Sequence, residues 1–146
     1  MVSVMESLDL ADRASFDLFT EERLRIADLD MNGHVNNVAV IQLMENARNL
    51  LLATRTPLTR GPKRTFMLVR FEVDFRGELF HPGAPEAACR LLKLGSKSLT
   101  LGQAVFDGAR ATATGQAVIV NVDRITGRAT PFSVEARAAL EALLPS

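Results

Sequence analysis

The sequence has a single cysteine, Cys89, and only two histidines, His34 and His81, among its 146 residues. One cysteine excludes an internal disulfide and fits a reducing compartment. So few thiols and imidazoles fall short of the ligand set of a closed structural zinc site, so no metal is expected. An excess of one charge is also missing: Lys plus Arg and Asp plus Glu number 17 each. No overall field draws the chain to nucleic acid or to an anionic membrane. No stretch approaches the roughly 20 apolar residues of a membrane span. The opening residues carry Glu6, Asp9, Asp12 and Arg13 where a signal peptide needs an apolar run. These absences lead to the expectation of a cytoplasmic protein. Sustained periodicity is lacking before residue 16, so residues 1–15 are expected to form a flexible arm, with a helical turn around Leu8 to Arg13. What is present, 47% hydrophobic and 23% charged residues, is the balance of a globular chain, and 16–146 is the right size for one domain.

Alternation at Arg23-Leu24-Arg25-Ile26 predicts a first strand over Phe19 to Ala27. Asp28 to Asn37 breaks that pattern with turn-forming Asp, Asn and Gly. Val40, Leu43, Met44, Ala47, Leu50 and Leu51 then recur at spacings of three and four, predicting a long apolar helix that starts at Asn36 or Asn37 and stops before Pro57. Thr56 to Arg64, with Arg60, Lys63 and Arg64, reads as an exposed basic loop. Leu68 to Phe75 sets Val69, Phe71, Val73 and Phe75 against Arg70, Glu72 and Asp74, and His81-Pro82-Gly83 makes a turn that accounts for His81. Three more strands are expected at Ala87 to Lys93, Ser98 to Phe106 and Ala111 to Val122, joined by hairpins at Gly95-Ser96-Lys97 and Asp107-Gly108. A short helix from Val134 to Leu144 follows, capped by Ser133. This order is α+β: an antiparallel sheet around one long helix, plus a short C-terminal helix.

Chemistry is concentrated in Asp28-Leu29-Asp30-Met31-Asn32-Gly33-His34-Val35-Asn36-Asn37, which places carboxylates, carboxamides and an imidazole just before a helix N-terminus. A polar loop with a capped helix would use the same residue types. A carboxylate here can also activate water or attack an acyl carbon, while backbone N–H groups at the helix start stabilise an oxyanion. This run resembles the signature of hotdog-fold thioesterases of the 4-hydroxybenzoyl-CoA thioesterase type, and more closely that of the plant acyl-ACP thioesterases. Arg70-Phe71-Glu72-Val73-Asp74-Phe75, Pro82-Gly83 and Val122-Asp123-Arg124-Ile125-Thr126-Gly127-Arg128 also fit the family pattern, so the likeness covers most of the chain after Phe19.

The resemblance implies a hotdog fold and a catalytic carboxylate at Asp30, with Asn32 and His34 in the catalytic set. Glu72 resembles a further acidic position, although its spacing from His34 departs from the family and it also fits an outward-facing strand residue. Asp28 is read as catalytic or as a brace for the loop. Asp30 is expected to activate water, with direct attack through a transient anhydride as the alternative. Asn36, Asn37 and Val38 are expected to polarise the thioester carbonyl, and Lys97 and Ser98 to border the pantetheine channel. The implied reaction is hydrolysis of an acyl-CoA to a carboxylic acid and coenzyme A. Coenzyme A enters as part of the substrate, and no cofactor is expected. Acyl-carrier-protein hydrolysis, an enoyl-CoA hydratase and a non-catalytic acyl-CoA-binding module are the alternatives. The hydratase pattern Asp-x-Asn-Pro-x-His differs from the spacing here, and a sensor would need a separate DNA-binding partner. Pairing of subunits in the family implies a homodimer or homotetramer with the site between chains.

Overall fold

The apolar stripe from Val40 to Leu51 becomes one face of helix α1 (Asn37–Arg55), on which Val40, Leu43, Met44, Ala47 and Leu51 are all buried. Each large side chain among them contributes roughly 2 kcal/mol by leaving water. The computed structural model describes residues 8–58 and 63–146. Within them, α1 is followed by strands β2 (Arg64–Phe75), β3 (Glu86–Leu94), β4 (Ser98–Asp107) and β5 (Arg110–Asp123) and by helix α2 (Val134–Glu141), and is preceded by β1 (Phe19–Glu21). The strands form an antiparallel sheet in the order β1-β3-β4-β5-β2. Register shifts at Leu68/Arg70, Leu91/Lys93 and Val105/Phe106 give it the local bends by which a sheet curves around a helix. This is the expected α+β hotdog arrangement, with its short C-terminal helix.

α1 lies over β1, β3 and β4. Met44 is fully buried beneath it, and a Cβ on Gly115 of β5 would come within 3.2 Å of the Met44 methyl and 2.4 Å of the Glu72 carbonyl. The Glu72 carbonyl of the neighbouring strand leaves no room for a side chain there, so glycine is required. On the opposite face Phe16, Ala88, Ala104 and Phe106 form a second buried cluster, covered in part by Leu10 and Phe19. Of the arm expected over 1–15, residues 8–15 lie against this face. The Ser15 hydroxyl donates to the Asp9 carbonyl, Arg90 donates to the Ser15 carbonyl at 2.8 Å, and Arg13 pairs with Glu86. The helical turn in this segment falls at Arg13–Ser15.

Two strand boundaries and the facing of Val69 differ from expectation. The first strand ends at Glu21 rather than Ala27. Beyond it the chain only donates a sparse ladder, Glu22 N–H to the Pro85 carbonyl and Leu24 N–H to the Gly83 carbonyl, because Pro82 and Pro85 on the facing segment have no N–H to return. β2 begins at Arg64, where a loop was expected, because β5 runs on to Asp123 and pairs with it. Of the expected basic loop, Arg60 lies outside the described residues. Val69 sits at the β2 bulge and is exposed instead of joining Phe71 and Val73 against the core. Among the described residues no helix is long and apolar enough to cross a membrane.

Candidate active site

The loop from Asp28 to Asn36 is shaped by its own side chains. The Asp28 carboxylate is buried and accepts from the Arg25 N–H at 2.8 Å and from its guanidinium at 2.9 Å, closing a short helical turn at Ile26–Asp28. The Asp28 carbonyl accepts from Asn36 N–H, and Leu29 bridges Val35, so Asp28 acts as the brace of the loop. Hydrogen bonding from Arg25 holds the Asp28 carboxyl below its ordinary value of 3.8, against the opposing effect of burial. A lowered folded-state pKa contributes stability above the unfolded value and loses it as pH falls through the folded one. Asp28→Asn is therefore expected to lower the melting temperature at neutral pH. Melting curves recorded at successively lower pH should show the gap to wild type closing below about pH 4.

Above this brace the Asp30 N–H donates to the His34 carbonyl at 2.8 Å and Gly33 N–H donates to the Asp30 carbonyl. Gly33 has φ +77°, a conformation that disfavours a side chain. The Asp30 carboxylate is exposed. Its Oδ1 accepts from the N–H groups of Asn32 (2.8 Å) and His34 (3.1 Å), which leaves Oδ2 without a partner among the described residues. The loop thus fixes the carboxylate and turns one oxygen outward. Asn32 supplies only its backbone to this arrangement, and its side chain is exposed.

His34 places Nδ1 3.0 Å from Glu78 Oε1, and its ring packs edge-on to Phe80 with centroids 6.0 Å apart. An Nδ1–H donated to Glu78 leaves Nε2 free to meet a ligand. Glu78 is held in turn by Arg110, whose guanidinium donates to its carbonyl at 3.0 Å, and Val35 N–H reaches the Leu79 carbonyl at 3.4 Å. Sequence reasoning missed Glu78, because it lies in a segment with no motif and meets His34 only through the fold.

Asn36 is the N-cap of α1, its Oδ1 accepting from Ala39 N–H at 2.8 Å. The N–H groups of Asn37 and Val38 have no intrahelical acceptor and open at the helix start, where partial positive charge collects. Asp30, His34, Asn37, Phe75 and Glu78 line one cavity of about 340 Å³.

Two groups of expected site residues are not brought to this cavity within one chain. Glu72 pairs across β2 and β5 with exposed Gln116, on the face away from α1, and forms an ion pair with Arg70. The alternation that put Val73 inward puts Glu72 outward. Ser98 pairs with Val120, which pairs with Met67, eight positions before Phe75 on β2. That row, with Lys97 beside it, is roughly 25 Å along the strand from the cavity. A second cavity, of about 640 Å³, occupies that end between α1 and β2, lined by Arg48, Asn49, Leu52, Phe66, Leu68 and Ile119 among others. Among the described residues no group of three or more His, Cys, Asp or Glu side chains is placed to hold a metal ion.

Known proteins share this fold. The PA5185 protein of Pseudomonas aeruginosa PAO1 is 30% identical over 92% of this chain and 96% of its own, with a TM-score of 0.83. A predicted thioesterase from Bacillus stearothermophilus is 25% identical over 88% of this chain and 97% of its own, with a TM-score of 0.80. A thioesterase from Thermus thermophilus complexed with coenzyme A and Zn is 28% identical over 86% of this chain and 98% of its own, with a TM-score of 0.76. No curated protein matches the chain. The profile of the Thioesterase-like superfamily matches residues 24–140, from just before the Asp28 loop to the C-terminal helix, and the chain belongs to that superfamily.

Proposed function

We propose that the protein is an acyl-CoA thioesterase acting as a homodimer, with Asp30 as its central carboxylate. The observation that carries this reading is the loop geometry, in which Oδ1 of Asp30 is held by two backbone amides, Oδ2 has no partner among the described residues, and Asp30 lines one cavity together with Asn37 of the α1 N-terminus. In this reading Oδ2 takes a proton from water as its oxygen attacks the thioester carbonyl carbon. The carbonyl oxygen becomes an oxyanion facing the Asn37 and Val38 N–H groups. Collapse reforms the carbonyl and breaks the C–S bond, and the departing thiolate leaves as the thiol with the proton carried by Asp30. His34, positioned by Glu78, orients the water through Nε2. Coenzyme A suits the substrate because the structural neighbour from Thermus thermophilus is complexed with it.

The homodimer rests on β2. This twelve-residue strand is an edge of the sheet, with a row of unpaired backbone groups, and Met67, Leu68, Val69 and Phe75 are each 46 to 57% exposed. Long apolar edges of this kind are normally covered. Pairing β2 with its copy about a two-fold axis near the strand's middle continues the sheet and keeps both helices on one face. It sets Val73 to Phe75 beside the partner's Thr65 to Leu68, so that the Asp30 cavity of one chain meets the 640 Å³ cavity of the other. The same operation brings the partner's Lys97 and Ser98 to the end where a pantetheine arm would leave.

Thiol release from a panel of aliphatic and aromatic acyl-CoAs tests the reading. Release above the rate of a buffer control is expected, with a monodisperse dimer by light scattering. Cys89 is buried, and burial pushes its thiol up, so the folded protein contributes no background. No release from any acyl-CoA, with release from an acyl-carrier-protein thioester, would transfer the proposal to that carrier. Binding without release would replace it with a sensing role.

A further inference from the structure

We propose that the cavity between α1 and β2 receives the acyl group and that Arg48 within it selects acyl groups ending in a carboxylate, the half-thioesters of dicarboxylic acids. This rests on the thioesterase reading above.

Arg48 lies in the middle of α1 on the face packed against the sheet, and is only 5% exposed. A guanidinium buried at such a position is unfavourable unless its donors are met. Its partners meet them incompletely. Nη1 donates to Gln103 Oε1 at 3.0 Å, and the guanidinium carbon stands 4.8 Å from the centre of the Phe71 ring. Nη2 reaches the nearest carboxylate, Glu45 Oε2, only at 3.9 Å, beyond hydrogen-bonding distance. Glu45 itself is mostly exposed, so its charge is screened by water. Of the five N–H donors of a guanidinium, one is bonded to a protein atom among the described residues.

The guanidinium is nonetheless firmly placed. Gln103 is fully buried and donates from Nε2 to the Met44 carbonyl at 2.6 Å, which turns its Oε1 toward Arg48. Phe71 holds the guanidinium from its ring face. The cavity wall around it is apolar at Leu52, Leu58, Phe66, Leu68 and Ile119 and polar at Arg48, Asn49, Thr65 and Glu45, the last a carboxylate that competes for the guanidinium. Its volume of about 640 Å³ is ample for a small acyl chain. Methylene groups suit the apolar wall, but an alkyl terminus would displace solvent from the remaining Arg48 donors, which are not enclosed by protein, and offer them no acceptor. A terminal carboxylate accepts two parallel N–H bonds from it and completes the ion pair that Glu45 makes only loosely.

The test compares matched thioesters: succinyl- with butyryl-CoA, adipoyl- with hexanoyl-CoA, and suberoyl- with octanoyl-CoA. For at least one pair kcat/KM is expected to favour the carboxylate-terminated member by about tenfold or more. Arg48→Met should bring that ratio to unity or below, Arg48→Lys should keep part of it, and Glu45→Gln should raise it by removing the competing carboxylate. Circular dichroism checks the fold of each variant, and if Arg48→Met does not fold, the other two variants decide. Preference for the alkyl member at every length, or an equal fall for both members in Arg48→Met, would overturn the proposal and leave Arg48 as an anchor between helix and sheet. If no thioester is hydrolysed, the functional reading fails while the cavity can still be probed directly. Adipate and hexanoate are then titrated into the protein with amide shifts of Arg48 and Asn49 followed by NMR. Tighter adipate binding that disappears in Arg48→Met upholds the site, and equal or absent binding overturns it.

Discussion

Asp30→Asn is expected to lower the rate of thiol release by roughly a thousandfold, within the range that a positioned general base contributes. The substitution keeps the shape of the loop, because Asp30 Oδ1 accepts the Asn32 and His34 N–H groups and a carboxamide oxygen accepts them equally well. What changes is the outward atom: Oδ2, which has no partner among the described residues, becomes an NH2 group that can neither take a proton nor attack an acyl carbon. KM should move little, since Asp30 is assigned to the water and not to the acyl chain or the pantetheine arm. Steady-state kinetics beside a thermal melt would check this. A fall of less than tenfold with the fold intact would remove Asp30 from the centre of the reaction. Single turnover in labelled water then separates the two routes, since isotope entering the Asp30 side chain would establish direct attack and reject activation of water.

The second large effect comes from mixing two inactive proteins. Asp30→Asn disables the loop of its own chain, and Asn49→Trp, at an exposed α1 position lining the larger cavity, plugs the cavity of its own chain. If each site joins the loop of one subunit to the cavity of the other, a mixed dimer has one site with both lesions and one with neither. Equal amounts refolded together should pair at random and regain about a quarter of the wild-type rate. Each variant alone should stay near background. A mixture no more active than its components, with mixed dimers demonstrated by differential tagging, would place the whole site within one chain.

The helix and the hairpins were legible in the sequence because each rests on local signals. The three-four spacing of Val40 to Leu51, the Asn36 cap and the turn residues Gly95 and Gly108 each act over a few positions. The failures were of another kind. Where β1 stops depends on prolines more than fifty residues away, and where β2 starts depends on how far β5 extends. Asp30 and His34 were readable as a motif because one short loop carries them. Glu78 was not, since its pairing with His34 is made by the return of the chain after β2. Arg48 and Gln103 were hidden for a related reason. A charged residue on the buried side of a helix looks like noise in an apolar pattern until the strand that answers it is known. Glu72 shows the converse: the motif resemblance drew it toward the site, whereas simple alternation along β2 had already turned it to the opposite face.

The packing of the amino-terminal segment also bears on how the chain comes to be folded during its synthesis. Leu10, Phe16 and Phe19 pack with Ala88, Ala104, Phe106 and Ala111, and β1 pairs with β3 across the whole of α1 and β2. Contacts so distant in sequence form late, because a long loop must close before any of them is gained. A ribosome that has released α1 has therefore made a helix with a bare apolar face and a leading segment with nowhere to dock. Both remain uncovered until Phe106 emerges, and in that interval the nascent chain is most exposed to misassociation.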